Sequence, residues 1–169
     1  FGAFAARLAS GKVVVWGAQE FGGKITNPEI QKKLDSGVRK VYATSVAFAA
    51  ILDSGSVVAW GANTYDTEYQ GKGDITSGTA EIPTLVNVRS IITTQKTFIA
   101  LLDDGKIIGF GGDIIGKIPN DLQQGTVGGG VRMVIPLKPY TEKMGERKIS
   151  GINSIAFAAL LNDGTVRAF

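Results

Sequence analysis

The stretch that decides the fold is AFAAILDSGSVVAWG, residues 47–61. Within it, Phe48, Ala50 and Leu52 lie two positions apart, so they share one face of a strand, whereas in a helix they would scatter around the axis. The residues between them are also apolar, which predicts a strand covered on both faces. Residues 53–55, Asp-Ser-Gly, then supply a tight turn in which glycine takes a positive φ. The stretch therefore predicts a hairpin of two buried strands.

The same hairpin pattern occurs four times along the chain, at residues 3–17, 47–61, 97–111 and 156–169. A phenylalanine, an alanine, a leucine and a glycine are identical in all four copies, whose starts are 44, 50 and 59 residues apart. A fifth position always holds a large aromatic residue: Trp16, Trp60, Phe110 and Phe169. Because it recurs once per repeat on a buried strand, we interpret it as core between repeats rather than as a ladder that stacks a ligand.

Further strands and one helix are predicted around the hairpins. Strand-like runs precede three of them, at residues 38–44, 88–94 and 148–153, and residues 82–86 offer a fourth strand. A helix is predicted at residues 28–34, with Asn27 as its N-cap and proline at its first position. Each repeat thus offers four short antiparallel strands with polar, Gly-rich connections. This pattern predicts an all-β chain of β-propeller blades. A parallel β-helix is the structural alternative, but its coils are far shorter than these repeats.

A longer pattern surrounds the hairpins, xIxTxxxAFAALLxDGxVxAWGxN preceded by Pro-Thr-Leu-Val, and it is clearest over residues 41–63 and 83–111. This pattern resembles the repeats of the regulator of chromosome condensation family. The proteins of that family are seven-bladed propellers. Two features differ: the family's Gly-His pair before the third strand is replaced, for example by Ser-Val at residues 45–46, and its Gly-Gln-Leu-Gly run after Trp-Gly is missing. The resemblance therefore implies the propeller fold in a divergent branch, and no nucleotide-exchange residue of the family is carried over.

On this interpretation, residues 1–169 form one partial propeller domain. They hold about three blades and the last two strands of a preceding one, which is roughly half of a seven-bladed ring. An open half-ring would expose sheet edges and blade faces that normally lie against neighbours. We therefore expect the intact polypeptide to be longer than this segment and to close into a ring.

Composition argues against an enzyme. The chain contains neither cysteine nor histidine, which removes thiol nucleophiles, two common kinds of metal ligand and the usual general base near neutral pH. Its net charge of +3 is small and scattered, whereas nucleic-acid-binding proteins concentrate positive charge on one face. The apolar runs fall far short of the roughly 20 residues that span a bilayer. We expect no catalytic residue, no cofactor, no metal site and no transmembrane segment.

Two motifs suggest a ligand but are explained more simply by the fold. Residues 111–117 match the first seven positions of a phosphate-binding P-loop, but Ile118 stands where Ser or Thr would hold Mg²⁺, and Pro119 follows. Aspartates also precede the turn glycines, at residues 53 and 103–104, but the further ligands of a calcium loop are missing. We therefore predict a connection between blades for the first motif and hairpin turns for the second.

The insertions between the repeated strands hold the candidate partner-binding residues. These are aromatic and basic side chains without an evident structural role, a combination typical of protein interfaces. The candidates are Tyr65, Tyr69, Arg132, Lys138, Tyr140, Lys143, Arg147 and Lys148. The alternative for these residues is an ordinary solvated loop.

The leading functional hypothesis is a non-catalytic scaffold that binds partner proteins within a larger complex. Repeat folds offer broad rigid surfaces, which suits this role. One alternative is a chromatin- or nucleic-acid-associated propeller, whose affinity would fall steeply with salt. Another is an enzyme whose catalytic residues lie in other blades.

Overall fold

The computed structural model describes residues 2–61, 85–94, 97–111, 118–136 and 156–169. These residues form four antiparallel sheets, one of two strands and three of three strands. Sheet 1 consists of β1 (Ala3–Arg7) and β2 (Val13–Gly17), and sheet 2 of β3 (Val38–Ala43), β4 (Ala47–Leu52) and β5 (Val57–Gly61). Sheet 3 consists of β6 (Val88–Thr93), β7 (Phe98–Leu102) and β8 (Ile107–Phe110), and sheet 4 of β9 (Val131–Pro136), β10 (Phe157–Leu161) and β11 (Val166–Ala168). The prediction of a mostly β chain is confirmed, and none of these sheets closes on itself.

Each repeated motif forms an antiparallel pair of strands. β1 pairs with β2, β4 with β5, β7 with β8 and β10 with β11. The turn glycines have φ values between 78° and 87°, a region of backbone conformation that favours glycine. In every pair the repeated phenylalanine stacks on the fifth-position aromatic residue, with ring centroids 5.1–5.5 Å apart.

A first strand precedes the hairpin in sheets 2, 3 and 4. The predicted strands at 38–44 and 88–94 are β3 and β6. In sheet 4 the first strand is β9, which pairs with β10 on the side opposite β11. Residues 148–153 lie outside the described residues, as do residues 82–84 of the proposed fourth strand. Arg132, which we expected in a connecting loop, therefore lies in a strand.

Two short helices lie in the connections between sheets. α1 (Pro28–Leu34) is confirmed as predicted, and its N-cap Asn27 accepts a backbone hydrogen bond at 2.9 Å. α2 (Asn120–Gln124) was not predicted, because it has only five residues and no side-chain cap. Each helix buries a leucine between two sheets, Leu34 in one case and Leu122 in the other. No helix in the described ranges is long and apolar enough to cross a membrane.

Neighbouring sheets pack face to face through three apolar clusters. One cluster lies between sheets 1 and 2, one between sheets 2 and 3, and one between sheets 3 and 4. Alternate residues of a strand point to opposite clusters: in β7, Phe98 and Ala100 face sheet 2, whereas Ile99 and Leu101 face sheet 4. We call the side with the repeated Phe, Ala and fifth-position aromatic the aromatic face, and the other side the aliphatic face. The stack has a direction, since the aromatic face of each later sheet packs on the aliphatic face of the sheet before it.

The expectation of two buried strands per hairpin is wrong at the two ends of the stack. The strands of the hairpins in sheets 2 and 3 are largely buried. Phe4 and Trp16 in sheet 1, by contrast, are 55% and 51% exposed, and all of β11 is exposed. The physical reason is that no described sheet covers the aromatic face of sheet 1 or the aliphatic face of sheet 4.

Candidate functional site

The candidate partner-binding residues are divided between the described ranges and the rest of the chain. Arg132 is described, and its side chain is exposed on β9. The other seven lie outside the described residues: Tyr65, Tyr69, Lys138, Tyr140, Lys143, Arg147 and Lys148. The site geometry that the structure provides is therefore that of Arg132 and of the equivalent positions in the other sheets.

Arg132 occupies a position whose equivalents link one sheet to the next. Arg39 on β3 donates a hydrogen bond from Nη2 to the carbonyl oxygen of Val88 at 2.6 Å. Arg89 on β6 donates in the same way to the carbonyl oxygen of Arg132 at 3.0 Å, and its Nη2 lies 3.5 Å from that of Val131. Within the described ranges, no acceptor is bonded to the guanidinium of Arg132 itself. Arg132 therefore occupies the position of a linking arginine, and no described sheet follows on the side to which its equivalents reach.

Sheets 1 and 2 are joined by an arginine from another strand. No first strand is described in sheet 1, and its linking arginine is Arg7 on β1. The Nε of Arg7 donates a hydrogen bond to the carbonyl oxygen of Val38 at 2.5 Å. In sheets 2, 3 and 4, the carbonyl oxygen of the first-strand valine thus lies within hydrogen-bond distance of an arginine from the preceding sheet. Hydrogen bonds with one charged partner are stronger than neutral ones, which suits them to holding sheets together.

A signature of three residues marks the start of each first strand. Val38, Val88 and Val131 are at most 1% exposed, and each is followed by an exposed arginine. The residue before each valine has a positive φ: Gly37, Asn87 and Gly130. That turn directs the valine into the core between sheets and leaves the arginine at the surface. The same Val-Arg pair at residues 131–132 was visible in the sequence and was the signal that could have located β9.

A main-chain hydrogen bond accompanies each arginine contact. The amide of the first-strand valine donates to the carbonyl oxygen of the turn glycine in the preceding sheet. The pairs are Val38 with Gly11 at 3.0 Å, Val88 with Gly55 at 2.9 Å and Val131 with Gly105 at 2.8 Å. A Cβ on Gly105 would lie 2.9 Å from Gly130 Cα, so the turn has no room for a side chain. The fourth turn glycine, Gly164, has open space around it and receives no hydrogen bond from a described amide at its carbonyl.

The aspartates of the hairpin turns are engaged in local bonds. The ammonium group of Lys106 lies 2.7 Å from Asp104, and this hydrogen bond lowers the pKa of the Asp104 carboxyl. Asp163 accepts hydrogen bonds from the amide and the hydroxyl of Thr165, at 2.9 and 2.7 Å, and these bonds lower its pKa. In the ranges that the structure describes, no group of three or more His, Cys, Asp or Glu residues is placed to hold a metal ion.

The P-loop-like motif leads into the core between sheets 3 and 4. Residues 112–117 lie outside the described residues, but Ile118, which follows them, is 4% exposed and belongs to the apolar cluster. A P-loop would place a Mg²⁺-binding hydroxyl at this position and begin its helix there. Here α2 begins only at Asn120. The buried isoleucine fits a connection between sheets.

An open cleft of about 270 Å³ lies beside sheets 1 and 2. It is lined by Ala3, Phe21, Phe48 and residues 44–47. The hydroxyl of Thr44 already accepts hydrogen bonds from two amides of its own turn, at 3.0 and 3.3 Å. None of the lining residues has a titratable side chain, so the cleft offers no acid–base group.

The described residues therefore assemble a row of first strands, β3, β6 and β9, joined by arginines and main-chain bonds. The guanidinium groups of Arg39 and Arg89 are used within these junctions, whereas that of Arg132 is exposed and can donate hydrogen bonds to a carbonyl or carboxylate oxygen. Compared with known proteins, the chain matches no family model and no curated protein. Its function is therefore inferred from its own residues.

Proposed function

We propose that the chain is part of a β-propeller scaffold that has no catalytic role and mediates protein–protein interaction within a larger complex. The observation that carries this proposal is the junction between sheets, which recurs three times with the same parts. Each junction combines an apolar cluster, a valine amide bonded to a turn glycine and an arginine bonded to a main-chain carbonyl. Repeated nearest-neighbour junctions produce rigid, broad surfaces that suit partner binding.

The propeller arrangement is supported by the order of the contacts. The first strands β3, β6 and β9 are neighbours in series, and the hairpins extend from them. In a propeller, the innermost strands of successive blades surround a central channel in this manner. The aromatic face of one sheet on the aliphatic face of another supplies the packing between blades.

A role without catalysis is supported by the electrostatics of the described residues. The three aspartates whose pKa is displaced, Asp35, Asp104 and Asp163, are all displaced downward by hydrogen bonds from neighbouring groups. General acids and bases work best when their pKa lies near the operating pH. The pKa of each carboxyl is thus moved away from neutral pH, and the carboxylates make local contacts instead, Asp104 and Asp163 in hairpin turns and Asp35 at the end of α1.

Partner contact is assigned to the insertions, because the repeated positions are accounted for by packing and turns. Tyrosine and arginine are frequent anchors of protein interfaces. Truncation of a buried anchor to alanine costs about 2 kcal/mol or more of binding free energy. Charge reversal of a basic residue at the rim slows association with an acidic partner and weakens its dependence on salt.

The test compares partner recovery from native extract by wild-type protein and by the double variant Tyr140→Ala/Arg147→Glu. We expect the double variant to lose the partner while its circular dichroism spectrum and thermal unfolding stay unchanged. Lys24→Glu is the matched control, since Lys24 is exposed in another connection and its loss of charge is equal to that of Arg147→Glu. Unchanged recovery by the double variant would reject this surface. Loss of nucleic acid alone would favour the nucleic-acid-associated propeller instead.

A further inference from the structure

The residue immediately before the turn glycine occupies the same place in all four hairpins. We call it the pre-glycine position, and its members are Ser10, Ser54, Asp104 and Asp163. In each turn, the amide two residues later donates a hydrogen bond to this side chain, at 3.4 Å for both serines and at 3.1 and 2.9 Å for the two aspartates. Every repeat therefore holds an oxygen acceptor against a main-chain donor at this position.

In two of the repeats the pre-glycine position carries a negative charge. The carboxylate of Asp104 lies 2.7 Å from the ammonium group of Lys106, two residues later, and this hydrogen bond lowers the pKa of the Asp104 carboxyl. The pKa of Asp163 is also lowered, by hydrogen bonds from the amide and the hydroxyl of Thr165. The geometry of the turn thus stabilises an anion at this position.

The turn of sheet 1 has the same cation but a neutral acceptor. Lys12 is the equivalent of Lys106, and the two side chains are equally exposed, at 45%. Because the pre-glycine residue here is Ser10, the ammonium group of Lys12 reaches Asp35 at the end of α1 instead, at 3.1 Å. Sheet 1 therefore places a lysine where a sister repeat uses it to hold an anion, beside a hydroxyl that could carry one.

The pre-glycine position is accessible whatever lies against the faces of a sheet. Ser54 and Asp104 are exposed although sheets 2 and 3 have a described neighbour on both faces. The exposure of Ser10 is therefore a property of the turn and does not depend on what covers sheet 1. Residues 7–9 are exposed as well, so the tip of this hairpin can open locally without uncovering the core.

Basic residues flank Ser10 on both sides. Arg7 precedes it by three positions and Lys12 follows it by two. Protein kinases select serines partly by the charges around them, and an arginine three residues before the serine is a common pattern. Arg7 is exposed, and its described bonds to main-chain carbonyls use Nε and Nη1, which leaves Nη2 for a kinase. At the equivalent positions around Ser54 stand Ile51 and Ser56.

We propose that Ser10 is a phosphorylation site and that Lys12 holds the phosphate, as Lys106 holds the carboxylate of Asp104. The kinase transfers the γ-phosphoryl group of Mg-ATP to the Oγ of Ser10. The bond between Oγ and phosphorus forms, the bond from the γ-phosphorus to its bridging oxygen breaks, and ADP leaves. The hydroxyl proton passes to a base of the kinase.

Phosphorylation changes the contacts of this turn rather than the fold. Phosphoserine carries a charge of about −1.5 to −2 at pH 7, so it competes for Lys12 with the single charge of Asp35. The link between the turn and the end of α1 is then lost. Exposed ion pairs contribute little to stability, so the modification acts through the charge of the turn and the release of Asp35. It is independent of the insertions assigned to partner binding.

The first test incubates the folded chain with calcium/calmodulin-dependent protein kinase II and Mg-ATP and counts incorporated phosphate by intact mass. Ser150 also follows an arginine by three positions, so every protein in this test carries Ser150→Ala. We expect one phosphate per chain, located at residue 10 by peptide mass spectrometry. Ser10→Ala loses it, whereas the matched control Ser54→Ala retains it. Absence of phosphate, or undiminished incorporation in Ser10→Ala, would overturn the proposal.

The second test examines the contact with Lys12. Phosphorus NMR of the phosphorylated chain follows the second ionisation of the phosphate. The neighbouring ammonium group favours the dianion, so this pKa lies below its usual value of about 6. Lys12→Gln returns it to about 6, whereas Lys24→Gln, an exposed lysine in another connection, leaves it low. The same pKa with and without the lysine at residue 12 would show that Lys12 does not hold the phosphate.

Discussion

Ala50, Ala100 and Ala159 are fully buried at equivalent positions in sheets 2, 3 and 4. Each lies on the aromatic face, two residues after the phenylalanine that stacks on the fifth-position ring. A side chain larger than a methyl group would push the neighbouring sheet away, because interiors are packed as densely as organic crystals. The repetition of alanine here reflects the distance between sheets.

This interpretation gives a prediction for substitutions at the repeated positions. Ala50→Leu should destabilise the fold by about 1–3 kcal/mol through overpacking. Phe48→Ala should cost about 3–5 kcal/mol through loss of a buried ring. Ala6→Leu is the matched control, since the equivalent position in sheet 1 lies on the uncovered face, and its effect should stay within about 0.5 kcal/mol. Urea unfolding measures all three, and equal effects at residues 6 and 50 would contradict the packing.

At the scale of elements, the first strands connect each sheet to the next. β3 and β6 each extend an arginine to a main-chain carbonyl of the following sheet, whereas β9 extends Arg132 to no described acceptor. Both kinds of arginine follow a buried valine at the start of a first strand and are exposed, so a comparison between them tests the hydrogen bond.

We predict that Arg89→Ala lowers the free energy of unfolding by about 0.5–1.5 kcal/mol, the net contribution of one hydrogen bond. Arg132→Ala should change it by less than about 0.5 kcal/mol, as is usual at the surface. Thermal and urea unfolding of the two variants provide the measurement. A loss at Arg132 as large as that at Arg89 would show that the guanidinium of Arg132 has a partner of its own.

Elements defined by local chemistry were predictable from sequence. Alternating apolar residues and a turn glycine determine a hairpin within fifteen residues or so, and a cap of Asn27 followed by proline determines α1. β9 was missed because its partner β10 begins twenty-one residues after β9 ends, at Phe157. Pairing across such a distance depends on tertiary packing, and the search for a strand directly before the hairpin led to residues 148–153 instead.

The candidate site was predictable only in part. Of the residues singled out for partner binding, Arg132 alone is described, and it lies in a strand where its equivalents join sheets. The linking role depends on which carbonyl lies across the junction, and that information is absent from a single repeat. The Val-Arg pair occurs four times, at residues 38, 88, 131 and 166, and only the first three begin a first strand, which becomes evident when the sheets are stacked.

At the scale of the whole molecule, stability should vary along the stack. Sheets 2 and 3 have a described neighbour on both faces, whereas sheets 1 and 4 have one each. In stacked arrays, stability is approximately a sum of repeat and nearest-neighbour contributions, so the ends open more readily than the middle.

We therefore predict that native-state hydrogen exchange is slowest in β4 and β7 and fastest in β1 and β11. β4 and β7 are central strands of covered sheets, and every residue of β11 is exposed. Exchange followed by NMR at several denaturant concentrations provides the measurement. Uniform protection in all four sheets would contradict the prediction and indicate one cooperative unit.

The bond from each first-strand amide to the preceding turn involves main-chain atoms alone. Ordinary substitutions leave both atoms in place, and among the common residues only proline lacks the amide hydrogen. The three bonds agree within 2.8–3.0 Å although the connections between successive sheets differ in length and sequence. Over evolutionary time, the repeats can thus diverge in side chains and lengthen their connections while the offset between successive sheets is inherited unchanged. In such a molecule the offset between successive sheets is therefore a better guide to the common origin of the repeats than their amino-acid sequences are.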